Sequence, residues 1–433
     1  VASVKMKLNQ KFTIEQIEIE GNLSISDRYL KHIIAIDEGQ PFNKQEIIAI
    51  KDRLNSISFL TYKKDPVVDF LGNSATVHLF LDKKNANRFD ILLGLQPTGV
   101  GDQRRFRLTG NVNIDLANQF GAGEIFHLNY KNLMPATQDL DLSLNYPFIF
   151  DWSFGTELNF NLYKRDSSYI DIGYQAGIHY FLNTNDYVQF FVENQSTKLL
   201  TIDTNRILRT HQLPEFLDVR QKLLGTTLHF EKLNYRLNPR KGYDITLRLS
   251  AGTKNIKKNQ TIISIKDPFD TEFNFNDLYE NIKLNSFQFR SSVAIHKYLP
   301  VFRSSAIKFS MNSGLISSGQ KMFDNELFRI GGTKLLRGFN EESIFANFYS
   351  ILTTEYRLLF NQNSNLFIFW DLGYYEKNTL SGRIIDQPMG FGTGLNLETK
   401  VGIFTITYAL GKQNENPISF RQGRIHFGMI SQF

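Results

Sequence analysis

Cysteine is missing from all 433 residues. Its absence removes disulfides, thiolate metal sites, cysteine nucleophiles and an N-terminal lipidated cysteine from consideration within them. Long apolar runs are missing as well. Nowhere do about 18 apolar residues follow one another, so no helix can span a bilayer. The eight histidines are scattered, with no HExxH and no i, i+4 pair on a helix, so neither a metal nor another cofactor is expected. No charged-then-apolar signal segment opens the chain at Val1, so residues 1–11 read as the start of a mature or trimmed form. Charge of one sign is modest, at net +6. Stretches such as KNIKKNQ (254–260) read as solvated loop. With no basic helix or aromatic platform beside them, nucleic acid is not an expected partner.

What is abundant is aromatic: 38 Phe and 18 Tyr against 2 Trp. A mean hydropathy of -0.27 would ordinarily indicate water-soluble domains. A transmembrane barrel escapes that test, because only every second residue meets lipid. DLDLSLNY sets Leu140, Leu142, Leu144 and Tyr146 against Asp139, Asp141, Ser143 and Asn145; YIDIGYQAGIHYFL separates Ile170, Ile172, Tyr174, Ile178 and Tyr180 from Asp171, Gly173, Gln175, Gly177 and His179. A soluble sandwich would also alternate. Here the apolar face is strongly aromatic and the other is polar, glycine-rich and sometimes charged, as a wet lumen would be. Connections alternate too, between tight turns (118–120, 183–186, 361–365) and long polar loops (201–218, 257–275, 319–346). These features predict an antiparallel transmembrane β-barrel of about sixteen strands over 88–433.

Residues 12–84 differ. FTIEQIEIEGN alternates as a half-buried strand, and SISDRYLKHIIAIDEG spaces Leu30, Ile33 and Ile34 at helical intervals from a Ser26 or Asp27 cap to Gly39. A second helix follows, capped by Asn43 with Glu46 three residues on, its stripe made by Ile47, Ile50 and Leu54. Two strands joined at Gly72-Asn73 complete a small β-α-α-β-β domain.

RIGGTKLLRGF (329–339) interrupts the strand pattern with three cations and no acid. Downstream lies the hairpin NFYSILTTEYRLLF-NQNSN-LFIFWDLGYY. Glu355 and Asp371 are equally distant from Asn363, so a regular pair would set them opposite each other, and parity points both into the lumen. Facing carboxylates repel and need a counter-charge or a proton. Arg337 is the candidate cation, on a loop long enough to fold back, with Gly331, Gly332 and Gly338 supplying a φ-positive backbone. A guanidinium can bridge two acids. The plainer alternative makes Arg337 a solvated surface cation, with Arg357 neutralising the acids locally.

GGTKLLRGF followed by TTEYRLLF and FWDLGYY resembles the signature of the BamA/TamA outer-membrane assembly superfamily. RLNPRKGYDITLRLSAG (236–252) resembles the family's turn between the eighth and ninth strands. HFGMISQF, ending at Phe433, resembles its C-terminal β-signal, although Ser431 stands where an aromatic is usual. The resemblance implies a periplasmic polypeptide-transport-associated (POTRA) domain at 12–84 and a sixteen-stranded barrel in the bacterial outer membrane. It also implies a lumen-docked Arg337-Gly338-Phe339 held by Glu355 and Asp371.

By the same resemblance, substrate β-strands engage a seam between the first and last strands. The seam residues would be Phe89, Ile91, Leu93 and Pro97 on one side and Ile425, Phe427, Gly428 and Phe433 on the other. The first strand reads as short, stopping at Pro97, which has no N–H for a ladder; the last carries Gly423 and Gly428, which pack nothing. Prolines near strand ends are common, however, and every barrel must close somewhere. Expected partners are outer-membrane lipid and lipopolysaccharide, unfolded barrel or secreted polypeptides, and periplasmic or lipoprotein accessory subunits reached through the POTRA domain. A secretion pore and a non-transporting envelope subunit remain alternatives to an assembly factor. No enzyme signature survives: GFGTGL (390–395) lies in a period-2 strand with no helix after it, and two acids beside an arginine read more simply as an ion cluster than as glycosidase machinery.

Overall fold

A computed structural model describes residues 11–432 apart from 56, 58, 99–104, 133–135, 150, 151, 153, 184, 321, 415–417 and 419–422. Phe433 and residues 1–10 lie outside the described residues.

From Arg88 onward the chain forms a closed antiparallel barrel of sixteen staves in sequence order, Arg88–Thr98 being first and Arg424–Gln432 last. The fourteenth stave is broken: Gly382–Asp386 and Met389–Thr399 both pair with Asn365–Thr379, and the break falls at Gln387-Pro388. The alternation read from the sequence is the alternation of the wall. Outward Leu352, Ile368 and Trp370 are exposed, while inward Glu355 and Asp371 are buried.

The staves differ greatly in height. Asp218–Leu233 and Gly242–Lys257 have 16 residues each and Asn285–Phe302 has 18, against 8 in Ile125–Asn132. About 9–11 residues cross a membrane, so the tall staves rise above it.

Over these tall staves the long loops are not the polar connections expected. Helix Thr204–Thr210 and the turns at Gln260–Ile263 and Phe275–Tyr279 bury Ile207, Leu217, Ile262, Phe275 and Tyr279 together with Phe323 as a small apolar cap. Its edge is fixed by a 2.8 Å bond between His211 and Asp267, which holds the Asp267 carboxyl below its usual range. Lys254 corrects the solvated-loop reading of 254–260. It points into the lumen, fully buried, 2.6 Å from the carboxylate of Glu326.

At the opposite end sits the α+β domain. Strand Thr13–Glu20 pairs in parallel with Ser74–Lys83, which is flanked by Val67–Leu71 and by a short extra strand, Leu60–Tyr62, beyond the β-α-α-β-β order. The first helix, Asp27–Ile34, is capped by the Ser26 hydroxyl and ends at Ala35 in the left-handed region, four residues before Gly39. In the second, Lys44–Asn55, the Asn43 side chain accepts the Gln45 N–H, and Ile47, Ile50 and Leu54 are buried. The domain is docked on the barrel's short turns. Ser26 N–H donates to Gly121 O at 2.7 Å, and Tyr29 packs 5.5 Å from Phe148. That burial pushes the Tyr29 phenol above its ordinary range.

Candidate functional site

The chain between Ser305–Ser318 and Phe348–Leu359 does not stay outside. It makes a turn at Asp324–Glu326, then a two-stranded ribbon, Phe328–Ile330 with Ile344–Ala346, whose tip enters the lumen. Ile330, Leu336, Phe339 and Ile344 form an apolar cluster with Ile351 and Tyr375 of the wall. Mutual backbone bonds between Gly332 and Leu336, at 3.0 and 3.1 Å, close the tip. Gly331, Gly332 and Gly338 all take positive φ.

At this tip Arg337 meets both acids. Its Nε donates to Asp371 Oδ2 at 2.9 Å, Nη2 to Asp371 Oδ1 at 2.7 Å and Nη1 to Glu355 Oε2 at 2.6 Å. Its backbone N–H adds a bond to Asp371 at 3.0 Å. The guanidinium lies 3.5 Å above the Phe369 ring. The Thr353 hydroxyl donates to Asp371 at 2.9 Å, and Arg357 donates to Glu355 at 2.8 Å. Arg357 therefore assists with Glu355 rather than replacing Arg337.

The hairpin departs from the facing arrangement expected of it. Glu355 lies opposite Phe369, and Asp371 opposite Thr353, so the carboxylates are diagonal neighbours. Phe360 N–H closes the turn onto Ser364 O, which centres it on Gln362, one residue before Asn363. Parity survives that change, but facing repulsion does not. Diagonal positions are roughly 7–8 Å apart. The gap admits a guanidinium, with Phe369 as its floor.

Sequence reasoning missed the surfaces that receive the tip. A Cβ at Gly390 would sit 2.0 Å from Arg337 O, so only glycine lets the loop backbone lie on that stave. Gly390 is the register partner of Asp371. The alternation of Gly390, Gly392 and Gly394 signalled a smooth lumen patch without saying what lay on it. Gly338 and Gly411 meet in the same manner, with a Cβ on Gly411 2.5 Å from Gly338 O.

The loop is also tied elsewhere on the wall. Glu326 binds Lys254; Asp324 binds Lys377; Glu342 lies 3.4 Å from Lys131 and 3.3 Å from Arg329. Arg329 itself lies over Tyr163 at 3.4 Å and 3.8 Å from Asp171. On the last stave Arg424 donates to Asn340 Oδ1 at 3.0 Å and to the Gly338 carbonyl.

The seam is paired. His426–Gln432 runs antiparallel to Arg88–Gly94 in seven residue pairs, with Phe427 opposite Leu93, Gly428 opposite Leu92 and Ser431 opposite Phe89. Phe89 and Ile91 are half-buried, whereas Leu93, Ile425 and Phe427 are exposed on the outer face. The first stave does not stop at Pro97. It runs to Thr98, where Leu95–Thr98 pair with the second stave and, among the described residues, with nothing on the last. Gly423 precedes the last stave and lies against the Tyr408 ring, so it is not a loose strand position; a Cβ at Gly428 would make only ordinary contacts.

Residues 118–433 match the family model of the Omp85 superfamily domain, and residues 12–84 match that of POTRA, described as a surface antigen variable number repeat. Among solved structures, BamA from Haemophilus ducreyi lacking POTRA domains 1-3 superposes with a TM-score of 0.57 at 15% identity, covering 97% of this chain and 84% of that one. CdiB from Acinetobacter baumannii gives 0.59 at 15% identity, covering 98% and 74%. At such identities the likeness is one of fold. No curated protein matches the chain.

Proposed function

This chain belongs to the Omp85 superfamily, and from that premise we propose that it folds and inserts β-barrel proteins by offering its seam to their strands. Its class is that of outer-membrane insertion and secretion barrels, with the POTRA domain on the periplasmic side. The observation that carries the finer reading is the incomplete pairing of the first stave among the described residues. Seven of its eleven residues face the last stave, and Leu95–Thr98 keep an edge that no described residue of that stave occupies. In lipid, each unpaired backbone group costs several kcal/mol. An incoming strand can supply the missing partners by adding itself to that edge. The POTRA sheet would receive unfolded chains or accessory subunits before they reach the seam, and Arg337, Glu355 and Asp371 would hold the loop in the lumen meanwhile.

Phe427 and Leu93 are register partners, so Leu93→Cys with Phe427→Cys should form a disulfide across the seam. Reconstituted barrels with the disulfide formed should lose insertion of a β-barrel client and regain it on reduction. Full insertion by quantitatively crosslinked barrels would overturn the seam mechanism. Absence of client insertion in both the oxidised and the reduced state would instead favour the second reading, export of a polypeptide through the lumen. One feature supports that reading: the wall carries a polar lumen ladder in which Arg248 binds Gln175 and Glu193 at 2.6 and 2.7 Å.

A further inference from the structure

We propose that the outer wall of the tall staves carries a binding site for a phosphorylated, multiply acylated glycolipid of the outer leaflet. Three adjacent staves, Tyr187–Leu199, Asp218–Leu233 and Gly242–Lys257, change character at one height on their lipid side. Below it the outward residues are Phe190 and Val192; Leu224, Thr226 and Leu228; and Leu249 and Ala251, the Thr226 hydroxyl donating to Gln189 O at 3.0 Å. Above it they are Asn194, Ser196 and Lys198; Lys222 and Arg220; and Thr253, Asn255 and Lys257. This line lies toward the end opposite the POTRA domain and is local to the three staves, since Ile172 opposite Ser196 and Phe287 opposite Thr253 stay apolar.

Four exposed cations crowd above that line. Arg220 is the register partner of Ser196 and of Asn255, which makes Lys198 and Lys257 its diagonal neighbours; Lys222 follows two residues along the same face. Among the described residues, none of Lys198, Arg220, Lys222 and Lys257 has an acid within ion-pair distance. Asp218 is occupied, one oxygen accepting the Leu199 N–H at 2.7 Å and the other the Asn259 amide at 2.6 Å. Among the described residues Arg220 makes only a 3.4 Å bond to the Asn194 amide oxygen. Like charges on neighbouring strand positions repel. Here they face outward toward the end opposite the POTRA domain, where an anionic headgroup would offset them.

Directly below, the wall is hollowed into a trough of about 870 Å³, with Leu158, Tyr174, Val192 and Leu224 along it and the small side chains of Ala176 and Ala251 among its lining. That volume falls within the roughly 300–1,000 Å³ of ligand pockets. Cations above an apolar hollow fit a lipid whose phosphates and acyl chains are rigidly joined. The spread of four cations over three staves fits two phosphates on a sugar core better than one on glycerol. Elsewhere on the rim Arg383 is bound at 2.9 Å by its own neighbour Glu376 and has no such vacancy for an anion.

The test is native mass spectrometry of the folded full chain, titrated with bisphosphorylated hexa-acyl lipid A, its monophosphorylated form, or phosphatidylglycerol. The wild type should retain one bisphosphorylated molecule. Arg220→Gln with Lys222→Gln should weaken retention roughly thirtyfold, on the scale of about fivefold per cation near an anionic headgroup. Ala251→Trp, which fills the trough, should weaken it with the cations intact, and Arg383→Gln should not. Heat-modifiability on gels reports that each variant is folded. Unchanged retention in the double variant overturns the site, and equal retention of phosphatidylglycerol overturns the assignment to the glycolipid.

Discussion

Two sectors of this barrel are built to different standards. On the tall side, Asp218–Leu233 and Gly242–Lys257 pair along sixteen residues, and each of the next two stave pairs matches fourteen. At the seam the last stave makes seven described pairs with the first and seven with its other neighbour, Gly402–Lys412. The tall side is also capped by the apolar cluster around Phe275 and Tyr279 and locked from inside by Lys254 and Glu326. The cost of parting two staves scales with the backbone bonds broken, so opening is favoured at the short ladders, among which Ile125–Asn132 with Gln138–Tyr146 also matches seven pairs. A barrel with a strong wall on one side and short ladders on the other can yield on the weak side without losing its shape.

The sharpest way to break that comparison is to lock each sector in turn. Leu228 and Leu247 are outward register partners on the tall side, as Phe427 and Leu93 are at the seam. A disulfide between Leu228→Cys and Leu247→Cys should leave client insertion unchanged, while the seam disulfide abolishes it. Equal inhibition by both would mean that the whole barrel must deform and that the seam has no privileged role.

Next in size is Arg337→Ala. Asp371 is fully buried and would lose both of its side-chain donors from the loop, leaving a charge with the Thr353 hydroxyl as its remaining side-chain partner. Orphaning a buried charge costs about 3–5 kcal/mol. The loop 319–346 should become open to protease, and the heat-modifiability midpoint should fall. Arg337→Lys should recover only part, because an ammonium cannot engage both acids in the plane that the guanidinium occupies. Wild-type protease resistance in Arg337→Ala would show that the apolar contacts of Leu336 and Phe339 suffice to hold the tip.

The hairpin also shows what the sequence could and could not convey. Strand alternation has period two, so the lumen positions of Glu355 and Asp371 followed from counting, and an error in locating the turn could not flip them unless it changed parity. NQNSN left the turn centre ambiguous by one residue, and the facing arrangement was lost there. For Lys254 the obstacle is different. Its partner Glu326 is 72 residues away, on a loop whose path nothing local to KNIKKNQ reveals. Gly390 was visible as a smooth spot, yet its purpose depends on Arg337 O arriving from a segment 53 residues earlier. Periodicity conveys walls; what fills them is set by contacts between distant segments.

Lys254 offers the third test, directed at the strong side. Both Lys254 and Glu326 side chains have no exposure. Lys254→Met should leave Glu326 charged and buried, with a loss of about 3–5 kcal/mol, whereas Lys254→Met with Glu326→Leu should be near neutral. Thermal unfolding of the single and double variants measures the difference. The pair belongs to the tall side's rigidity only if the single variant also loosens the cap, read as faster hydrogen exchange in Thr204–Thr210. Destabilisation confined to the seam staves would mean that the loop transmits strain across the lumen and the sectors are not independent.

The smallest expected effect concerns the bond between those sectors. Arg424 stands at the top of the last stave, beyond the seven seam pairs, and holds the loop tip at Asn340 and Gly338. Arg424→Gln removes a charge-assisted contact worth about 1.5–3 kcal/mol if fully made, and about 1 kcal/mol if solvent replaces part of it. Nothing in the Arg337 cluster depends on it, so the loop should keep its protease resistance. The last stave, however, would lose its tie to a rigid body. Amides of Ile425–Met429 should exchange about fivefold faster, the equivalent of roughly 1 kcal/mol, while those of Gly242–Lys257 stay at their original rates. A uniform acceleration would show that Arg424 supports the barrel as a whole. Acceleration at the last stave alone would identify this residue as the link through which an arriving strand and the occupied lumen sense each other.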